Sequence, residues 1–118
     1  MLIKYVTIPI TASKSETFRS QGMSILSVQH ANDLTALTTA LNVLACTEED
    51  GTPVAAKTSS GTQIAYAVDN DAAEFISTVG EDKVTAPLLQ FEAVDASNVA
   101  KAQTAAVTLK VVLAKYLT

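Results

Sequence analysis

The longest periodic pattern of apolar positions lies in residues 95–118. At the helical spacing of about 3.6 residues per turn, one side of this segment is apolar and the opposite side is polar. Asp95, Ser97 or Asn98 can each cap its beginning by accepting from backbone N–H groups. The pattern predicts a C-terminal amphipathic helix over residues 95–118, whose core-facing side consists of Val99, Ala102, Ala105, Ala106, Leu109, Val112, Leu113, Tyr116 and Leu117.

A second pattern competes within the same segment. Val107, Leu109, Val111 and Leu113 alternate with other residues, as in a strand, and β-branched residues favour sheets. The helix is the preferred interpretation because its period keeps its phase over about five turns.

Four other segments carry strand patterns. Residues 2–10 are rich in β-branched and aromatic residues, with Pro9 near the end, where its missing N–H is tolerated. In this segment Leu2, Val6, Ile8 and Ile10 share one side, with Lys4 as the exception. The further predicted strands are residues 23–30, 62–68 and 84–94. In the first of these, Leu26, Val28 and His30 lie on one side.

Two shorter segments favour helix. In residues 31–45, Leu34, Leu37, Leu41 and Leu44 cluster on one helical face, although the threonines between them and the Thr/Leu alternation also suit a strand. In residues 71–80, Glu74 follows Asp71 at the spacing of a capping box, and Gly80 can end the helix. The apolar side of that helix would hold Ala72, Phe75, Ile76 and Val79.

Together these elements predict an α+β fold in a single domain spanning residues 1–118. A small, mainly antiparallel sheet would be packed by the C-terminal amphipathic helix and by the shorter helix. Residues 11–22 are polar around Phe18 and read as an exposed loop. Phe18 then covers its own sheet or contacts a neighbouring molecule. Residues 47–61 form a loop or hairpin tip with a turn at Asp50-Gly51.

Composition adds a constraint on the surface. Hydrophobic residues make up 48% of the chain and charged residues 17%, against a usual charged fraction of roughly 25%. A chain of 118 residues has a large surface for its volume. Part of that surface must therefore be apolar. The chain is then either an ordinary, weakly charged monomer or, the preferred interpretation, one whose surface is partly buried against copies of itself or a partner.

Charge and hydropathy exclude several functional classes. A net charge of −4 with eight dispersed Lys and Arg residues argues against nucleic-acid binding. No segment reaches the roughly 18 to 20 consecutive apolar residues that span a bilayer. The first residues lack the pattern of a secretion signal. One cysteine, Cys46, fits a reducing cytoplasm, because it cannot form an internal disulfide.

Candidate chemistry is sparse. His30 is the single histidine, so histidine-dependent catalysis would have to use it, with Asp33, Cys46 or a serine as partner. No nucleophile elbow, glycine-rich phosphate loop or zinc ligand set is present in the sequence. Tyr5, Tyr66 and Tyr116 are interpreted as core residues. We therefore expect a chain without enzymatic activity, cofactor or metal.

The segments LIKYVTIPI and ILSVQHAN, separated by a polar loop, resemble the beginning of small structural proteins of tailed-phage virions. In many of these proteins a KY-apolar-TIP strand precedes an apolar-apolar-SVQ strand, and an Ala/Val-rich helix closes the chain. The resemblance covers about the first 30 residues and, loosely, the last 20. It implies a virion component such as a capsid decoration or cement subunit, or a connector or tail component.

We accordingly expect a structural subunit that is made in the host cytoplasm and located in the virion. Its partners would be copies of itself and a capsid or other virion protein, with no nucleic acid and no membrane. The alternative is a small soluble acidic binding or regulatory domain. The candidate subunit contacts are Leu2, Ile3, Phe18, Val107 and Val111.

Overall fold

A computed structural model describes residues 1–115. Within this range the chain forms nine strands and one short 3-10 helix, Gly80–Asp82. The strands are β1 (Leu2–Ile8), β2 (Phe18–Arg19), β3 (Ser24–His30), β4 (Ala40–Cys46), β5 (Val54–Ala55), β6 (Ala65–Ala67), β7 (Glu74–Ser77), β8 (Leu88–Val94) and β9 (Val107–Ala114).

The strands form two antiparallel sheets. The first sheet has the order β1-β9-β3-β7, so that the first and last strands of the chain pair with each other. The second sheet has the order β2-β8-β4-β5, and β6 also pairs with β4. Antiparallel sheets commonly bury one face and expose the other. On the second sheet, however, Asn42 and Leu44 on the outward side of β4 are buried as well.

The buried faces of both sheets meet in one hydrophobic core. Phe91 on β8 is fully buried and contacts the rings of Phe18 and Tyr66, at centroid distances of 5.5 and 6.1 Å. These three rings belong to the second sheet, and the same hydrophobic cluster contains the inward residues of the first, so the two sheets pack as a β-sandwich. The core-facing residues of the first sheet include Val6, Ile8, Ile25, Val28, Val107, Leu109, Val111 and Leu113, and those of the second include Leu41, Val43, Tyr66, Leu89, Phe91 and Ala93.

The predicted α+β class is wrong, because the expected C-terminal helix is a strand. β9 pairs with β1 on one side and β3 on the other, and its inward residues are those of the competing alternating pattern. Ala102, Ala105 and Ala106, expected on the core-facing side of a helix, are exposed in the segment before β9. The last part of the predicted helix, residues 116–118, lies outside the described residues.

The predicted helix over residues 31–45 is also absent. Its second half is β4, the central strand of the second sheet, which contacts β8 along seven register pairs. Leu41 is buried, whereas Leu37, placed on the same helical face by the sequence pattern, is exposed. Strand pairing on both sides of β4 outweighs the weak helical periodicity.

The predicted short helix over residues 71–80 is replaced by β7. The Glu74 carboxylate does reach back along the chain, accepting from the Asp69 backbone N–H at 2.6 Å. This contact closes a turn and does not begin a helix. Ile76 packs against the core and Phe75 points to solvent, the alternation of a strand at a sheet edge.

The predicted strands at 2–10, 23–30, 62–68 and 84–94 are confirmed in shorter form as β1, β3, β6 and β8. In β3 the register shifts between Ile25 and Ser27. This bulge turns Ile25, and not Leu26, toward the core together with Val28. The Thr78 hydroxyl stabilises the bulge by donating to the carbonyl oxygens of Ile25 and Leu26.

Candidate functional site

The candidate site lies on the side of the first sheet that faces away from the core. Strand register places Tyr5 beside Lys110, Lys110 beside Gln29, and Gln29 beside Phe75. These four residues form one row across the four strands, and Ile3 beside Val112 begins a parallel row. Together these six residues define what we call the outer face.

The outer face is apolar at both edges. Tyr5 on β1 is 66% exposed and Phe75 on β7 is 64% exposed, while Ile3 is 46% exposed. The centre of the row is polar, since Lys110 and Gln29 lie between the two rings. No carboxylate belongs to the outer face, and the Lys110 ammonium has no ion-pair partner within residues 1–115.

A shallow pocket of about 390 Å³ opens on this surface. Tyr5, Gln29 and Lys110 of the outer face contribute to its lining, together with Thr108 and residues at the end of β3. A molecule bound in this pocket could therefore contact an aromatic ring, an amide, a hydroxyl and an ammonium group. Such a mixture suits a polar side chain of a partner or a small polar ligand.

His30 lies at the rim of this pocket and is held on both ring nitrogens. Nδ1 is 2.6 Å from the carbonyl oxygen of Ala31, to which it donates, because a carbonyl oxygen can only accept. Nε2 is 2.9 Å from Oε1 of Glu74, the residue directly opposite on β7. The imidazole is fully buried and the Glu74 side chain is 34% exposed.

This arrangement meets one requirement of histidine catalysis and fails another. A carboxylate lies within hydrogen-bond reach of His30 beside a pocket, as a catalytic pair requires. Both ring nitrogens are already occupied, however, so neither is free to take a proton from a nucleophile. The geometry is that of a structural link between β3 and β7.

The structure places the five sequence-based contact candidates in different environments. Ile3 lies on the outer face, and Leu2 is half-buried at the end of β1. Phe18, Val107 and Val111 are in the core, with exposed fractions of 6%, 0% and 0%. These three cannot contact a second subunit without opening the sandwich, because they lie between its two sheets.

Tyr5 and Phe75 were missed as surface residues by the sequence interpretation. Tyr5 was assigned to the core, yet it shares the outward side of β1 with Ile3 at a spacing of two. That spacing was the available signal. Phe75 gave no such signal, since its segment was interpreted as a helix. Tyr66 is in the core as expected, and Tyr116 lies outside the described residues.

Another exposed apolar residue, Leu37, lies in a tight turn. Leu37 is 68% exposed and has φ of 71°, in the left-handed region that glycine and asparagine favour. The turn closes by donation from the Thr38 N–H to the Thr35 carbonyl at 3.1 Å. The buried side-chain amide of Gln103 stabilises this turn by accepting from the Thr35 N–H and donating to the Thr38 hydroxyl.

Within residues 1–115, no group of three or more His, Cys, Asp or Glu side chains is placed to hold a metal ion. In the same range, no helix has the length and apolar character needed to cross a membrane. The acidic residues of the turns at 48–50 and 69–71 are exposed to solvent.

Comparisons with protein-family models, with curated proteins and with solved structures give no match to this chain.

Proposed function

We propose that this chain is a non-enzymatic structural subunit of a larger assembly, as a capsid decoration or cement protein of a tailed-phage virion. The supporting observation is the extent of apolar surface that the β-sandwich leaves in water. Besides Tyr5 and Phe75, it includes Ile3, Ile10, Leu37, Val54, Val79 and Val99, each at least 46% exposed. On the outer face, register places Ile3 directly beside Val112, and Tyr5 follows Ile3 on the same side of β1; neighbouring apolar residues of this kind are found at interfaces.

The placement of these residues also supports a structural role. The core contains large aliphatic and aromatic side chains from both sheets, among them Leu109 and Phe91, and the exposed apolar residues are additional to these. Leu37 is held outward by a turn in which a leucine costs roughly 1–2 kcal/mol in the left-handed conformation. An exposed apolar residue at a strained position supports the hypothesis of a contact outside the monomer.

The proposal is tested by the protein composition of purified virions from the phage that encodes the chain. Mass spectrometry should find the chain in fixed stoichiometry to the major capsid protein, and the purified chain should rebind particles from which it has been stripped. Absence from purified particles, together with no rebinding, would overturn the proposal.

A second candidate is a small acidic binding domain, which the pocket beside His30 favours. In that case the chain would be a monomer whose Tyr5, Gln29 and Lys110 contact a small polar ligand. Substitution of Lys110 by methionine would then abolish binding of that ligand by a chain that is monomeric with or without the substitution. The structural role predicts no such ligand-dependent effect.

A further inference from the structure

We propose that the outer face is a self-association surface, on which the outer face of a second copy of this chain docks about a two-fold axis parallel to the strands. The inference deepens the structural role proposed above and rests on it for its biological purpose. It concerns a specific pair of surfaces, however, and can be tested without any particle.

The order of residues in the central row makes the outer face complementary to itself. The row runs from Tyr5 through Lys110 and Gln29 to Phe75. A two-fold rotation about an axis between β9 and β3 reverses this order in the second copy. Each Tyr5 then lies over the other copy's Phe75, and each Lys110 lies over the other copy's Gln29. Both contacts occur twice, as two-fold symmetry requires.

The chemistry of the two contacts is favourable. Exposed aromatic rings that meet across an interface bury apolar area and prefer offset or tilted arrangements. The Lys110 ammonium, which has no ion-pair partner within residues 1–115, can donate to the side-chain carbonyl of the opposing Gln29. The two lysines do not face each other, because the rotation places an amide opposite each of them.

The distribution of charge favours this face over others. The chain carries a net charge of −4, so two copies generally repel each other. Exposed carboxylates include those of the turns at residues 48–50 and 69–71, and Glu16, which accepts from the Thr7 N–H at the edge of β1. None is among the six residues of the outer face, so the central row brings no two carboxylates together, a contact that is costly across an interface.

The area of the outer face sets the expected affinity of the dimer. Four strands about 4.8 Å apart, with a rise of about 3.3 Å per residue, present a face of about 400 Å² per copy. The total of about 800 Å² lies below the roughly 1,200–2,000 Å² of stable complexes. The isolated dimer should be weak, with a Kd in the range of about 10 µM to 1 mM. Repetition in an assembly would strengthen it through effective concentration.

The first test is sedimentation equilibrium of the full chain from micromolar to millimolar concentration. We expect a monomer–dimer equilibrium, and we expect Phe75→Ser and Tyr5→Ser each to raise the dissociation constant at least about tenfold. Val54→Ser is the matched control, since Val54 is 67% exposed on β5 of the other sheet. It should leave the dissociation constant unchanged. Urea unfolding of each variant verifies that it is folded.

The second test determines which residues face each other across the dimer. It uses disulfide formation between introduced cysteines in a Cys46→Ser background. A mixture of chains carrying Tyr5→Cys with chains carrying Phe75→Cys should form the mixed disulfide in preference to either symmetric one. A mixture of Tyr5→Cys with Val54→Cys serves as the control and should form little.

Three results would overturn the inference. The first is a monomer at millimolar concentration, and the second is a dimer that Val54→Ser weakens as much as Phe75→Ser does. The third is a monomer whose particle binding is lost in Phe75→Ser, which would show that the face contacts a different virion protein. That third result would leave the proposed structural role standing. Conversely, a dimer absent from virions would refute only the proposed function.

Discussion

The Nε2 atom of His30 lies 2.9 Å from Oε1 of Glu74, joining the last residue of β3 to the first residue of β7. β7 has four residues and is an edge strand of its sheet, so few backbone hydrogen bonds hold it. Glu74 also accepts from the Asp69 N–H at 2.6 Å, which ties the preceding turn to the same link. The pair therefore fixes the strand that carries Phe75.

We expect His30→Ala to lower the free energy of unfolding by about 2–4 kcal/mol, since it leaves a cavity and an unpaired Ala31 carbonyl. Glu74→Gln keeps a hydrogen-bonding group and should cost about 1 kcal/mol. Gln29→Ala, an exposed neighbour on β3, is the control and should change stability by less than about 0.5 kcal/mol. Urea unfolding measures all three. A His30→Ala effect no larger than the control would show that the link does not stabilise the sheet.

Two adjacent valines distinguish the strand from a helix in the C-terminal segment. Val111 is fully buried and Val112 is half-buried on the outer face. Truncating the buried residue, Val111→Ala, should cost about 2–3 kcal/mol, and Val112→Ala less than about 1 kcal/mol. The reverse order is expected for the helix, in which Val112 faces the core and Val111 does not. Thermal or urea unfolding of the two variants gives the answer.

Tyr66 should make the free energy of unfolding fall as the pH becomes alkaline. Its hydroxyl donates to the Asp82 carbonyl oxygen at 2.7 Å. Burial, and secondarily the negative charge of Asp82, raise the pKa of Tyr66 far above its ordinary value. A tyrosine in the unfolded chain loses its proton near pH 10 or so. Above that pH the folded chain retains a proton that the unfolded chain has released, so stability falls as pH rises.

The contribution of Tyr66 to this slope should approach about 1.4 kcal/mol per pH unit. Tyr66→Phe is expected to remove that part of the slope and to cost about 1 kcal/mol at neutral pH through the lost hydrogen bond. Urea unfolding of both chains between about pH 8 and 11 measures the difference. Parallel curves for the two proteins would contradict the assignment.

Leu37 should be replaceable with a gain in stability. Its left-handed φ of 71° and its 68% exposure mean that its side chain contributes strain and little packing. We expect Leu37→Asn to raise the free energy of unfolding by roughly 0.5–1 kcal/mol, because asparagine tolerates this conformation. A loss of stability would show that Leu37 packs within the monomer. Val54→Asn, on an exposed strand, controls for the loss of a surface apolar group.

The sequence was informative where one period dominated. In β1 and β8 the alternation of apolar residues has no competitor, and both strands were predicted. In residues 95–118 two periods overlap, because Leu109 and Leu113 satisfy both the helical and the strand spacing. Pairing with β1 and β3 decides between them. Those partners are roughly 80 to 110 residues distant in sequence, so the pattern within residues 95–118 cannot predict the pairing.

The same limit applies to the surface. Composition indicated that apolar groups would be exposed, and Ile3, one of the candidate subunit contacts, is among the exposed ones. The row from Tyr5 to Phe75 could not be predicted, since it exists only through the register of four strands drawn from distant parts of the chain. Val111 was assigned to a surface because the helical interpretation turned it away from the core.

The central claim is that the exposed apolar groups are covered when the chain is in its assembly. Hydroxyl-radical footprinting of the free chain and of the chain bound in the proposed virion measures this directly, with buried Tyr66 as the internal reference. We predict that labelling of Tyr5, Phe75 and Leu37 falls several-fold in the virion while Tyr66 stays weakly labelled in both. Equal labelling of those three residues in the free and particle-bound chain would contradict the account.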